Sequence, residues 1–199
     1  MSGADTVACK LADVCVCHES LDGIETRLEA MAFDGDVQAE LHAVFVPAGA
    51  ESPAESSLLP FMQLIRKYFA SRVSVESIVD ALQVDLRHDG PQAEQAWLRD
   101  TLTALTLYSP TMLVVTREAL LRGREMSLAE CFRMELDIVS HALEDGDFHE
   151  GVRAHLIDKD RHPRWVPGTL AEMTPERIQW FFASSWPSEA HPLVGLMDK

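Results

Sequence analysis

The sequence predicts a mainly α-helical fold carrying one short β segment, and three observations predict it. Apolar residues recur at helical spacing through most of the chain. Helix starts are written out repeatedly, as Ser109-Pro110, Ser127-x-x-Glu130 and Thr174-Pro175-Glu176. The ten glycines are scattered singly, and repeated strand-and-turn units are absent.

Taken in order, residues 4–12 read as a short helix. Residues 13–17 read as a β segment, with Val14 and Val16 alternating against Cys15 and Cys17. A helix from about Ser20 to Ala32 places Leu21, Ile24, Leu28 and Met31 on one side. Another runs from about Gly35 to Phe45. The loop Pro47–Ser57, rich in Ala, Ser, Glu and Pro, is the best linker within what reads as a single domain over 1–199, separating residues 1–46 from 58–199. Residues 58–70 form a helix with Phe61, Leu64, Ile65 and Phe69 on one side. Ser74 caps the next, where Val75, Ile78, Val79, Leu82 and Leu86 fit helical spacing. His88-Asp89-Gly90-Pro91 is a turn, and Asp85, His88 and Asp89 read as solvent-facing. A helix from Pro91 to Leu107 carries Trp97, Leu98, Leu102 and Leu105. The helix opened by Ser109-Pro110 runs to about Leu121, and Gly123 suits its exit. The longest helix starts at Ser127 and reaches about Asp145. It shows two apolar stripes, Leu128-Phe132-Leu136-Val139-Leu143 and Met134-Ile138-Ala142, which predict cover on two sides. The last helix turns Ile178, Phe181 and Phe182 inward.

The net charge of −15, from 17 basic and 32 acidic residues, argues against nucleic acid or an anionic membrane as a partner, since both are polyanions. It leaves room for a local cationic patch. The first twenty residues contain acids and no long apolar run, so no secretory signal is expected, and no stretch approaches ~20 apolar residues. Cys9, Cys15, Cys17 and Cys131 are expected as reduced thiols. Cys15-x-Cys17-His18 lacks a second pair with zinc spacing, so a buried or half-buried thiol pair is the reading and no metal is expected. His149 and His155 lie six apart and miss helical ligand spacing. The serines form no nucleophile elbow, so no catalytic residue is identified.

The stretch Asp147–Pro167 is the most distinctive. Asp147 and Glu150 fit a reciprocal cap. Phe148, Val152 and Leu156 recur every four residues and predict an apolar face. Arg153, Lys159, Arg161 and Arg164 then place four cations within a few turns of an acidic chain, and Pro163 and Pro167 bracket Trp165. Arg153 reads as structural, paired to Glu150 or Glu135. Glu135 lies between Met134 and Leu136, where a carboxylate could work as acid or base. The favoured reading is an ion pair, and a Glu135–Arg153 contact is expected.

Phe148-x-Glu150-Gly151-Val152-Arg153-Ala154, Leu156-Ile157-Asp158-Lys159-Asp160 and Pro163-x-Trp165-x-Pro167 together resemble the C-terminal signature of 3-hydroxyisobutyryl-CoA hydrolases, of the enoyl-CoA hydratase/isomerase (crotonase) superfamily. Ser109-Pro110-Thr111 and Met134-Glu135 continue the likeness. Gly3-Ala4-Asp5, then Leu11-Ala12-Asp13-Val14-x-Val16, resembles a passage from the middle of that family, with Cys17-His18 where Pro-Ser is common.

The resemblance implies the helical C-terminal part of a crotonase-like fold, with the spiral β core absent. In that family the oxyanion-hole glycines and catalytic carboxylates precede this passage, so Met1 would follow them and the chain alone is expected to be inactive. The implied chemistry is acyl-CoA thioester hydrolysis in valine breakdown, with no cofactor beyond the acyl-CoA substrate. That substrate would be bound only if the missing core is supplied. Lys159, Arg161 and Arg164 are then candidates for the coenzyme A phosphates, with Glu135, Glu150, Gly151, Arg153, Asp158, Asp160 and Trp165 as the structural signature. The implied compartment is mitochondrial in a eukaryote and cytoplasmic in a bacterium. Three readings follow: a partial hydrolase; a non-catalytic helical module, subunit or oligomer whose exposed apolar face a partner chain covers, as in relatives within mitochondrial ribosomes; or another acyl-CoA enzyme of the superfamily.

Overall fold

Short polar side chains start the helices. Ser2, Ser74, Ser109, Ser127 and Thr174 each accept a hydrogen bond from a backbone N–H in the first turn that follows. The computed structural model describes residues 1–49, 55–70 and 74–197. Every regular element among them is helical. The chain divides into two compact units, Met1–Lys67 and Tyr68–Lys199, so the division falls after the 47–57 stretch in which the sequence places its linker.

The smaller unit contains α1 (Gly3–Ala8), α2 (Leu21–Glu29), α3 (Val37–Gly49) and α4 (Met62–Ile65), with a 3₁₀ turn (His18–Ser20) leading into α2. Asp5, 1 % exposed, organises it. Its carboxylate accepts from the Ser2 amide at 2.7 Å, the Ser56 hydroxyl at 2.8 Å, the Ser57 hydroxyl at 3.1 Å and the Leu58 amide at 3.1 Å. These donors, the Ser2 amide foremost, hold the Asp5 carboxyl well below the usual carboxylate range. A Cβ on Gly3 would stand 2.5 Å from Cys15 Sγ, so a side chain at position 3 would force the Cys15 thiol to move.

Three expectations are corrected here. Residues 13–17 form no strand, because no described segment offers them a ladder of partners. The helix expected to stop at Phe45 continues to Gly49 with Pro47 inside it, and residues 50–54 of the expected loop lie outside the described residues. The helix expected over 58–70 is three short pieces: a 3₁₀ turn (Leu59–Phe61), α4, and a π-helical turn (Arg66–Ala70).

The larger unit contains α5 (Val75–Asp85), α6 (Gln92–Leu107), α7 (Pro110–Gly123), α8 (Leu128–Asp145), α9 (Asp147–Val152) and α10 (Pro175–Phe181). Its core is Tyr68, Val75, Ile78, Leu82, Leu98, Val115, Met134, Ala154 and Phe181. The spacing of the α5 residues is the one the sequence shows. Asp85 is not simply solvent-facing: it accepts the hydroxyl hydrogen of the buried Tyr68. On α8 the two-sided cover is corrected. Ala129, Met134, Asp137 and His141 face inward, whereas Leu128 (70 % exposed), Phe132, Val139 and Leu143 stay open among the described residues.

Beyond α10, the segment 183–191 is tied to α8 by polar contacts. Asp137 accepts from the Ser184 hydroxyl and the Ser185 amide, and His141 Nε2–H donates to the Ala183 carbonyl at 2.8 Å. Among the described residues no helix is long and apolar enough to cross a membrane. Leu82 is fully buried in α5, with Phe181 and Tyr68 the larger side chains of the same core. Leu82→Ala is expected to lower unfolding stability by about 2–5 kcal/mol in a denaturant titration; a loss below about 1 kcal/mol would contradict this core.

Candidate functional site

The Asp147–Pro167 stretch is built on contacts distant in sequence. Gly146, at φ 95°, ends α8 and lets α9 begin at once. Asp147 was expected to cap that helix. It lies instead at the first helical position, with a carboxylate that accepts from the Ser109 hydroxyl at 2.5 Å and the Val166 amide at 3.0 Å. One buried side chain thus joins the start of α7, the start of α9 and the end of the loop.

Two residues away, Asp145 takes both oxygens to Arg177 Nη2 at 2.6 and 2.7 Å. Burial pushes the Asp145 carboxyl up, the Asp147 charge adds to this, and Arg177 opposes it. Arg177 also donates to the Val166 carbonyl at 2.8 Å and to Thr111 Oγ1 at 3.3 Å. Sequence reasoning missed Arg177. A signal was present: a cation in the first turn of α10 runs against the helix dipole, which marks a side chain with partners elsewhere.

The second half of the stretch is a cage around Arg153. Its guanidinium donates to both oxygens of Glu150 at 2.7 and 2.8 Å, to Asp158 at 2.6 Å, to Asp160 at 2.7 Å and to the His162 carbonyl at 3.2 Å. The expected Glu135–Arg153 pair is corrected: Glu135 is exposed on α8, and the donors of Arg153 go to Glu150 and to the loop that follows. An exposed carboxylate also lacks the burial that the acid or base role needs. Arg153, then the Arg164 amide at 2.7 Å, lower the Glu150 pKa to about 2. Arg153 likewise lowers Asp160, and the three carboxylates raise Arg153.

The apolar face expected from Phe148, Val152 and Leu156 is corrected as well. Residues Arg153–Ile157 form a π-helical turn, which breaks the four-residue register, and Phe148 and Leu156 are 51 % and 67 % exposed. Trp165 folds back over α9, where a Cβ on Gly151 would sit 3.4 Å from its ring, and its Nε1–H donates to the Leu107 carbonyl at 2.9 Å.

Lys159, Arg161 and Arg164 are exposed, and Lys159 and Arg161 adopt left-handed backbone angles, φ 57° and 58°. Among the described residues their side chains make no ion pair within the chain. The loop therefore consumes Arg153 and its three acids internally and leaves three cations outward, an arrangement suited to an anion. The structure brings Glu150, Gly151, Arg153, Asp158, Asp160 and Trp165 together and leaves Glu135 apart. Cys15 and Cys17 are half-buried and form no disulfide with each other. Among the described residues no cluster of three metal-ligating side chains is close enough to hold a metal.

Beside this loop the larger unit has an open apolar cavity of about 740 Å³, lined by Leu105, Met112, Leu113, Leu120, Phe148 and Trp165 with others.

Because the folded-state pKa of Glu150 lies below its ordinary 4.5, its contribution to stability is full above that pH and is lost as pH falls toward about 2. Glu150→Gln should lower the melting temperature at neutral pH and flatten its fall between pH 5 and about 2; an unchanged slope would contradict the cage.

Known proteins are similar to this chain in sequence and in fold. The family model described as enoyl-CoA hydratase/isomerase matches residues 1–182. The chain is 30 % identical over 193 residues to the 3-hydroxyisobutyryl-CoA hydrolase-like protein 1, mitochondrial, of Arabidopsis thaliana, covering 95 % of this chain and 46 % of that one. It is 29 % identical to the small ribosomal subunit protein mS47 of the same plant, over 92 % of this chain and 44 % of the relative. A crystal structure of a carnitinyl-CoA dehydratase from Mycobacterium thermoresistibile superposes with a TM-score of 0.70 at 30 % identity, over 94 % of this chain and 48 % of that one. The chain spans about half the length of the curated relatives it matches. With a family model matched from residue 1 to residue 182 and a shared helical shape, this chain belongs to the enoyl-CoA hydratase/isomerase family.

Proposed function

We propose that the chain is the helical part of a 3-hydroxyisobutyryl-CoA hydrolase-type protein. It would contribute to acyl-CoA thioester hydrolysis, in valine breakdown, when a catalytic part is present, and would be inactive alone. The observation that carries this is the relative named as hydrolase-like, which matches 95 % of this chain with 46 % of its own length. Chemistry agrees with it. Thioester cleavage needs amide donors aimed at a developing oxyanion and a carboxylate free to move a proton. In the larger unit the buried carboxylates Asp145 and Asp147 are engaged in holding the fold, and so is Glu150. The outward cations Lys159, Arg161 and Arg164 would meet the coenzyme A phosphates, with acyl-CoA as substrate rather than a resident cofactor. In a eukaryote the compartment would be mitochondrial, as the relative's name has it, and in a bacterium cytoplasmic.

A second reading, a non-catalytic helical module or subunit, is favoured by the match to a ribosomal small-subunit protein. A third, another acyl-CoA enzyme of the family, draws on the likeness to a carnitinyl-CoA dehydratase.

The test follows release of coenzyme A thiol from 3-hydroxyisobutyryl-CoA. The isolated chain is expected to give no turnover above buffer, and steady turnover would overturn the inactivity. With a catalytic part supplied, hydrolysis is expected to appear. Lys159→Glu with Arg161→Glu should then raise KM several-fold with little change in kcat. A completed protein without hydrolysis favours the module, and hydration of an enoyl-CoA in its place favours the third reading.

A further inference from the structure

Between α8 and the segment that follows α10, the larger unit has a second cavity, of about 750 Å³. Arg133 and Asp137 of α8 line one side of it, and Ser188 and His191 of the segment line another. Val194, Leu196 and Met197 add an apolar wall. Positions 133 and 137 are one helical turn apart, so both side chains leave the same face of α8.

His191 is the informative member. It is 6 % exposed, and the Trp186 ring packs against it edge to face at 5.1 Å between centroids. Its Nδ1 accepts from the Leu193 amide at 3.0 Å, so the hydrogen of the neutral ring is on Nε2. That Nε2–H donates to no acceptor among the described residues. Asp137 Oδ2 faces it at 3.9 Å, beyond hydrogen-bond reach. A buried donor without an acceptor is costly, which marks Nε2 as a group that a ligand satisfies. Asp137 has the converse need. It is 8 % exposed, its Oδ1 accepts from the Ser184 hydroxyl and the Ser185 amide, and among the described residues no lysine or arginine lies within ion-pair distance of it. Arg133 turns Nη1 to the Leu193 and Leu196 carbonyls instead, at 3.2 and 2.9 Å, and its Nε and Nη2 have no partner among the described residues.

The site therefore sets a carboxylate suited to a cation beside a guanidinium and a buried N–H suited to an anion. The two formal charges cancel, so the matching ligand carries both signs and no net charge. A metal ion is a poor match, because Nε2 presents a hydrogen where a ligand needs a lone pair. Phosphate or sulfate would lie against the Asp137 charge. We propose that this cavity binds a free α-amino acid with an apolar side chain. Its ammonium meets Asp137 Oδ2, and its carboxylate accepts from His191 Nε2–H and Arg133. Its side chain covers Val194, Leu196 and Met197, which are 56 %, 38 % and 81 % exposed. Such a ligand joins α8 to the segment after α10 across the gap that Asp137 and His191 leave. The proposal is independent of the hydrolase reading.

The test is a calorimetric titration of the full chain with L-leucine, and saturable binding of one leucine per chain is expected. Two analogues dissect it. 4-Methylpentanoate lacks the ammonium and 3-methylbutylamine lacks the carboxylate, and each should bind about tenfold more weakly or worse. L-Glutamate should be as weak, since it would bring a charge to the apolar wall. Asp137→Asn and His191→Phe should each lose about tenfold in leucine affinity, whereas Val139→Gln, exposed on α8 outside the cavity, should stay within about twofold. Asp137 also holds Ser184 and Ser185, so thermal melts check that its variant folds. Hydrogen exchange on the unmutated chain reads the site without substitution, and amides from Ser184 to Leu196 should gain protection with leucine. Absence of saturable binding, with hydration of the cavity alone, would overturn the proposal. So would 4-methylpentanoate binding as tightly as leucine, which makes this a plain carboxylate site, or glutamate binding as tightly. Leucine affinity unmoved in folded Asp137→Asn and His191→Phe, or protection confined to other segments, would also overturn it.

Discussion

The larger unit depends on a buried carboxylate pair and the arginine that makes the pair tolerable. Asp145 and Asp147 bring two negative charges into one poorly hydrated region, where an unmatched charge is costly. Asp147 is satisfied by the Ser109 hydroxyl and the Val166 amide, and Asp145 by Arg177 Nη2, from which both its oxygens accept. Arg177 also grips the Val166 carbonyl, so the same two backbone atoms that close the loop report to both acids. The turn between α6 and α7, the junction of α8 and α9, the loop and α10 are therefore held by one connected set of charges. The Arg153 cage depends on this set in turn, since it folds between α9 and the Arg164 backbone that precedes Val166.

What could be read from sequence was what local chemistry decides. Ser109, Ser127 and Thr174 cap helices because their partners are three residues away, and the α5 spacing fixes which of its residues are buried. Asp147 looked equally local, since Asp-x-x-Glu satisfies a capping pattern. Its real partners stand 38 and 19 residues away, and they won. Glu135 and Arg153 lie on different helical segments, and no local spacing brings them together. Arg153 found three acids within seven residues, which is entropically the cheaper solution.

Two other differences come from register. The π-helical turn at Arg153–Ile157 shifts phase where the sequence shows an unbroken four-residue repeat, so Leu156 leaves the face that Phe148 began. On α8 two apolar stripes are real, yet the described residues cover one. Periodicity tells which residues share a face and is silent about whether a neighbour is present to use it. The signature stretch itself was legible, because a long run of unusual composition is specific even when the geometry of its contacts is not.

The double-sided character of α7 bears on how this chain can vary. Thr111 and Val115 are packed inside the larger unit, whereas Met112 and Leu120 line the open cavity and Leu120 stays largely exposed. Substitutions on the inner row must be compensated within these 199 residues. Substitutions on the outer row disturb fewer packed neighbours within the larger unit. Adjacent residues of one helix should thus carry two unlinked substitution histories, and Thr111 beside Met112 is where the two meet.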